Sequence, residues 1–177
     1  MIHRWWQPLL IPFTLLTLVG QLLYALVVRP SSVRWRQWAL ECIDSTPESR
    51  STTIWGRPGG QSWGCRVLWF NTTLASIGEV NVHERVHALH GEWVNAVAHA
   101  VLVPAAVLFL GPSWWWPAVI VAQLAFGVAY GGHFAFEWAR QGFGPWHPAY
   151  MRIWSERIAY RVDDEWAKGQ RPGAWGE

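Results

Sequence analysis

From Leu9 to Val28 the chain runs for 20 residues without a charged side chain. At ~1.5 Å per helical residue this is roughly 30 Å, the thickness of a bilayer's hydrocarbon core. Only Pro12, Gln21 and a few small or hydroxyl residues interrupt it. Trp5 and Trp6 flank one end, and Arg29, Arg34, Trp35 and Arg36 the other, as anchors at a membrane interface do. The run is long for the apolar region of a cleaved secretion signal, and no small-x-small cleavage pattern follows it. It reads as an uncleaved anchor.

Composition points the same way. Hydrophobic residues make up 51% of the 177-residue chain and charged ones 15%, against about 25% charged in a typical soluble domain. The 16 tryptophans suit side chains with an apolar body and a wet edge. A net charge of +2 with scattered arginines leaves no footprint for nucleic acid. Two further apolar stretches, residues 93–110 and 118–136, are separated by a charge-free turn containing Trp114, Trp115 and Trp116. They are expected to form a membrane hairpin, for three spans in all. Arginines lie on both the 30–90 segment and the C-terminal helix, which places those parts together on the cytoplasmic face.

Between anchor and hairpin the chain is mixed. Residues 30–32 read as a linker, 36–42 as a short helix and 45–53 as loop. Residues 53–55 and 62–70, around a turn at 58–60, read as a β-hairpin. The expected organisation is an N-terminal membrane anchor (1–36), a small mixed region (37–79), a helical core with the membrane hairpin (80–168) and a disordered tail (169–177). Cys42 and Cys65 do not match a paired CxxC zinc site; they are two unrelated thiols or a single disulfide.

The chemistry lies in His83-Glu84-Arg85-Val86-His87. On a helix, positions i and i+4 lie about 40° apart, so both imidazoles can reach one metal ion. The residue after the first histidine is turned about 100° from it and can act as general base on water activated by zinc. His83 and His87 are the expected ligands and Glu84 the expected base. A catalytic zinc needs a third protein ligand and an open position. His90 shares the face of His83 but lies about 10.5 Å along a straight helix, and His99 lies on the opposite face. His133, near the end of the last span, and Glu156, on an inward stripe with Ile153, Ala159, Tyr160 and Asp163, are the remaining candidates.

The run HERVHALHGEW, followed by an apolar stretch, Tyr130-Gly131, and then Tyr150, Glu156, Ala159 and Tyr160, resembles a family of small bacterial membrane proteins with an HExxHxxQ helix. The resemblance covers roughly residues 80–165. The ending is also similar to the ExxA(D) helix of gluzincin membrane metallopeptidases, the prenyl-protein-protease and heat-shock membrane protease type. That likeness implies Glu156 as third zinc ligand and Tyr160 in place of a second-sphere aspartate. His90 stands where the family usually has Gln, and His133 where an acidic residue is common. In gluzincins a β-strand edge above the motif helix binds extended peptide, a role the hairpin could fill.

The expected fold class is therefore mainly α, an integral membrane protein with about three spans, a small β-hairpin and a zincin-like helix packed on a C-terminal helix. The expected function is zinc-dependent (Zn2+) hydrolysis of a peptide or protein substrate at the bacterial inner membrane. In it His83, His87 and Glu156 hold the metal, Glu84 is the base, and His133 or Tyr160 supports the oxyanion. The alternatives are an inactive membrane scaffold or sensor and a metal-binding protein without proteolysis.

Overall fold

A computed structural model describes residues 7–36, 38–43, 59–71 and 77–169. The Trp5–Trp6 flank, the 45–53 loop, the 53–55 strand and residues 170–177 of the expected tail lie outside the described residues. Proline has no backbone N–H, and around Pro12 the chain winds as a 3-10 helix, Gln7–Thr14, before α1 (Leu15–Val28) begins. Gln123, from another helix, supports this junction: it accepts the Leu16 N–H at 3.1 Å and donates to the Pro12 carbonyl at 2.9 Å. Arg29 closes α1 in a left-handed conformation, φ 55°, and returns its N–H to Ala25.

Next comes a sheet in the order β1-β2-β4-β3. It is formed by β1 (Ser32–Arg36), β2 (Ala39–Ile43), β3 (Gly59–Ser62) and β4 (Val67–Asn71). β1 and β2 are antiparallel, β2 and β4 parallel, β3 and β4 antiparallel. A hairpin is present as one half of a four-stranded sheet, but it is β3–β4: it turns at residues 63–66, inside the expected 62–70 strand, and residues 59–60 of the expected turn belong to β3. Residues 30 and 31 of the expected linker precede β1, which Ser32 opens, while the expected 36–42 helix is instead the end of β1 and most of β2. For β2 the reason is burial on both faces, which removes the alternation that marks a half-exposed strand. Leu68 and Phe70 of β4 pack with Ala39, Ile43 and Ala88 of the following helix. Val67 and Trp69, on the opposite face, pack with Cys42 and Cys65 against Leu18, Ala25 and Val28 of α1. Gln21, the polar interruption in α1, accepts the Trp69 indole N–H at 2.8 Å. The register sets Cys42 opposite Trp69, and both cysteines are free thiols.

The motif lies on α2 (Ile77–Leu110), a 34-residue helix of ~51 Å. Motif helix and second span are therefore one continuous element, where the sequence suggested that the span begins near residue 93. Gly111 ends it at φ 103°, and a 3-10 turn, Pro112–Trp114, leads into α3 (Trp115–Gln123). α4 (Ala125–Arg140) follows at a 50° bend, so the expected 118–136 span is broken at Leu124. Asn95 of α2 satisfies the broken backbone, donating to the Gln123 carbonyl and accepting the Phe126 N–H, each at 2.9 Å. The expected final helix is likewise two: α5 (Trp146–Tyr150) and α6 (Trp154–Ala167).

Leu9–Val28 and Val82–Leu110 are long and apolar enough to cross a membrane, and the bent pair makes a third span if counted as one. Their apolar side chains include Val27, Leu108 and Phe109, each more than three-quarters exposed, a surface that lipid would satisfy.

Candidate metal centre

Three contacts hold the motif turn of α2 in place. Val82 and Val86, one turn apart, pack on Ala159 and Val162 of α6, and the small Ala159 lets the helices approach. Arg85 reaches Glu41 of β2 at 2.6 Å, and Arg34 bonds the same carboxylate from β1. Arg66, just before β4, makes a bidentate pair with Glu92. Between these pairs Gly64 lies directly on Gly91: a Cβ added to Gly91 would fall 2.2 Å from the Gly64 carbonyl oxygen. The sheet is thus fastened to α2 on either side of His87, from Arg85 to Glu92.

On the other face of that turn, His83, His87 and Glu156 converge. The His83 and His87 Nε2 atoms are 3.1 Å apart; Glu156 Oε2 is 3.2 Å from the first and Oε1 3.1 Å from the second. Donors at ~2.0–2.2 Å from a tetrahedral metal lie about 3.3 Å from one another, so these separations fit one ion. All three residues are buried, Glu156 to 1% exposure. An imidazole-imidazole-carboxylate set suits zinc and other divalent first-row metals.

Each donor is oriented by a second contact. His83 Nδ1 lies 2.7 Å from Asp163 Oδ2, and His87 Nδ1 lies 2.8 Å from Ser155 Oγ. Both contacts leave Nε2 to face the centre. Tyr130 of α4 donates its hydroxyl to Glu156 Oε1, and Tyr150 of α5 lies within electrostatic reach of this carboxylate. Burial opposes ionisation of Glu156, but bonds from His83, His87 and Tyr130 outweigh it and hold the carboxyl well below its usual range. Burial, then the Glu156 charge, pushes the Tyr150 phenol upward, so it stays a donor.

Glu84 is buried beside the group, 6% exposed, with His83, His87, Glu156 and Asp163 all within electrostatic range. The Tyr160 ring stands edge-on to His83 at 4.7 Å between centroids and is partly exposed. The carboxylate on His83 Nδ1 is that of Asp163, which lies two turns beyond Glu156 and so on the same face of α6. His133 is not among the clustered donors; its Nδ1 accepts the Trp154 N–H at 3.3 Å and its Nε2 is 3.9 Å from Glu137. His99 bonds the Asn95 carbonyl and packs on Phe13. Asp163, visible in the α6 stripe, was the one missed partner with a signal of its own; Ser155 had none. Tyr130 and Tyr150 stood in the recognised pattern without a role.

No protein-family model, curated protein or solved structure matches the chain. What the centre does has to be argued from its own chemistry.

Proposed function

We propose that this chain is a membrane-embedded metallopeptidase in which His83, His87 and Glu156 hold a zinc ion and Glu84 acts as general base. The observation that carries the reading is the triangle of donor separations, 3.1, 3.2 and 3.1 Å, with a buried carboxylate, Glu84, on the adjoining helical position. Zinc would supply the positive charge that polarises a peptide carbonyl and eases removal of a proton from water. Glu84 takes that proton on a carboxylate oxygen and returns it to the leaving amine. Asp163 and Ser155 hold the imidazoles in the tautomer that presents Nε2, and Tyr130 keeps Glu156 ionised and oriented. Tyr160, at the exposed edge of the centre and without a bond to the donor set, is the phenol proposed for oxyanion support; His133, engaged at the start of α6, is the weaker candidate.

The sheet supports a peptide substrate. β3 is an edge strand next to α2, and an extended peptide can add to such an edge through main-chain hydrogen bonds. Arginines 29, 34 and 36 on one side and 140, 152 and 157 on the other favour a cytoplasmic face for the site.

Two measurements test the proposal in the full-length protein in detergent micelles. Elemental analysis is expected to find one zinc per chain, and a metal-free preparation that takes up none would end it. Cleavage of fluorescein-labelled casein is expected to be lost in Glu84→Gln with zinc retained. Equal cleavage by both proteins would remove Glu84 as the base. Zinc binding with no peptidase activity towards any substrate would leave the non-proteolytic metal protein as the better reading.

A further inference from the structure

We propose that Ser155 and His90 form a tautomer relay that sets His87 for metal binding, which makes both positioning residues of the centre. The relay rests on the reading of His83, His87 and Glu156 as metal ligands. Ser155 Oγ lies 2.8 Å from His87 Nδ1 and 2.9 Å from His90 Nδ1. It is fully buried, so water does not compete for the hydroxyl. His87 and His90 lie one turn apart on α2, and both face the first turn of α6. That turn carries Ser155 and, next to it, Glu156.

A hydroxyl has one proton to donate, and each ring nitrogen either donates or accepts. When the serine proton lies between the two rings, as in the relay, two directions are self-consistent; if both Nδ1–H groups donated to Oγ and the serine proton went elsewhere, the two rings would be uncoupled. In one, His87 Nδ1–H donates to Ser155 Oγ and the serine O–H donates to His90 Nδ1; His87 Nε2 carries a lone pair and can bind metal. In the other, His90 Nδ1–H donates to the serine and the serine donates to His87 Nδ1. A neutral His87 then bears its proton on Nε2 and cannot bind metal. With the serine proton shared between the rings, metal at His87 and the tautomer of His90 are one variable. The His90 ring is held in place against Trp154, at 4.8 Å between centroids. That packing fixes which nitrogen of His90 meets the serine.

The test uses full-length protein in detergent micelles with 15N-labelled histidine, titrated with zinc against a chromophoric chelator. In the zinc-loaded protein, His87 Nδ1 is expected to show the shift of a protonated ring nitrogen, and His90 Nδ1 that of an unprotonated one. Ser155→Ala should bind zinc about 10–100-fold more weakly, as loss of an orienting partner does. Ser155→Thr should restore most of the affinity. His90→Gln, whose amide oxygen accepts the serine proton, should bind as the unsubstituted chain does, and His90→Leu more weakly. Unchanged affinity in Ser155→Ala, or a protonated His90 Nδ1 beside bound zinc, overturns the relay while leaving the metal centre intact. If Ser155→Ala does not fold, the His90 pair and the 15N shifts decide alone. Failure of the unsubstituted protein to bind zinc overturns the centre and the relay with it.

Discussion

Asp163 Oδ2 sits 2.7 Å from His83 Nδ1, so the carboxylate that orients one imidazole comes from the same helix as the carboxylate that completes the donor set. One face of α6 therefore supplies a donor and a donor's partner, two turns apart. Removing Asp163 should weaken metal binding without removing a ligand. Asp163→Ala is expected to lower zinc affinity about 10–100-fold, roughly 1.4–2.7 kcal/mol. Asp163→Asn, which keeps an acceptor oxygen but not the charge, should fall between. Competition titration with a chelator checks the order, and equal affinities for all three proteins would show that the aspartate plays no orienting part.

The contact between Gly91 and Gly64 gives a sharper steric expectation. A methyl group at position 91 would meet backbone at 2.2 Å, and backbone cannot swing aside as a side chain does. Gly91→Ala should push the β3–β4 turn off α2, at a cost of about 1–3 kcal/mol or more, with a clear drop in thermal midpoint. Gly131→Ala is the matched control, since nothing lies within 4 Å of a Cβ there. It should be neutral, or stabilising by up to about 1 kcal/mol from helix propensity. Equal midpoints for the two variants would contradict the packing described here.

How much of this was legible beforehand depends on range. The spacing of His83 and His87 and the apolar length of Leu9–Val28 are local patterns, and both appear where the sequence placed them. Glu156 is one of two candidates from its place on an inward stripe and is singled out by a resemblance; the structure brings it to the two histidines. β2 was misread because a strand covered on both faces shows no period of two, and Ala39–Ile43 looks as helical as extended. The break at Leu124 carries neither Pro nor Gly at its corner; it depends on Asn95, a residue of another helix. His133 looked like a ligand because it returns along α4, but the bend and the start of α6 turn it to the Trp154 N–H. Contacts between elements, not propensities within them, decided each of these.

The two thiols give the pH dependence. Burial raises the Cys42 thiol from 9.0 to about 11 and the Cys65 thiol from 9.0 to about 12. At pH 8 both are protonated in the fold, and alkylation by iodoacetamide should be slow until denaturant is added. The sign of the linkage follows. The unfolded chain releases these protons from about pH 9 upward while the folded chain keeps them, so stability is intact below pH 9 and falls as pH rises towards 11–12. Replacing both cysteines by alanine should flatten that part of the stability profile. Rapid alkylation of the folded protein at pH 8 would show that the cluster around Trp69 is open.

The last expectation joins the bend to the chemistry. Asn95 serves both sides of the α3–α4 break, donating to the Gln123 carbonyl and accepting the Phe126 N–H. Neither group finds a helical partner across a bend, and in an apolar setting an unmet backbone group costs several kcal/mol. Asn95→Leu removes both bonds at nearly constant volume, and the cheapest remedy is for α3 and α4 to straighten and restore their own ladder. Straightening moves Tyr130, nearly two turns beyond the break, away from Glu156, to which it donates. The variant should therefore lose zinc affinity as well as thermal stability, although residue 95 lies two turns from His87 and touches no donor. Tyr130→Phe should reproduce the loss of affinity but not the loss of stability, and the double variant should bind no worse than Asn95→Leu alone. A variant at position 95 that melts early yet binds zinc normally would separate the bend from the centre.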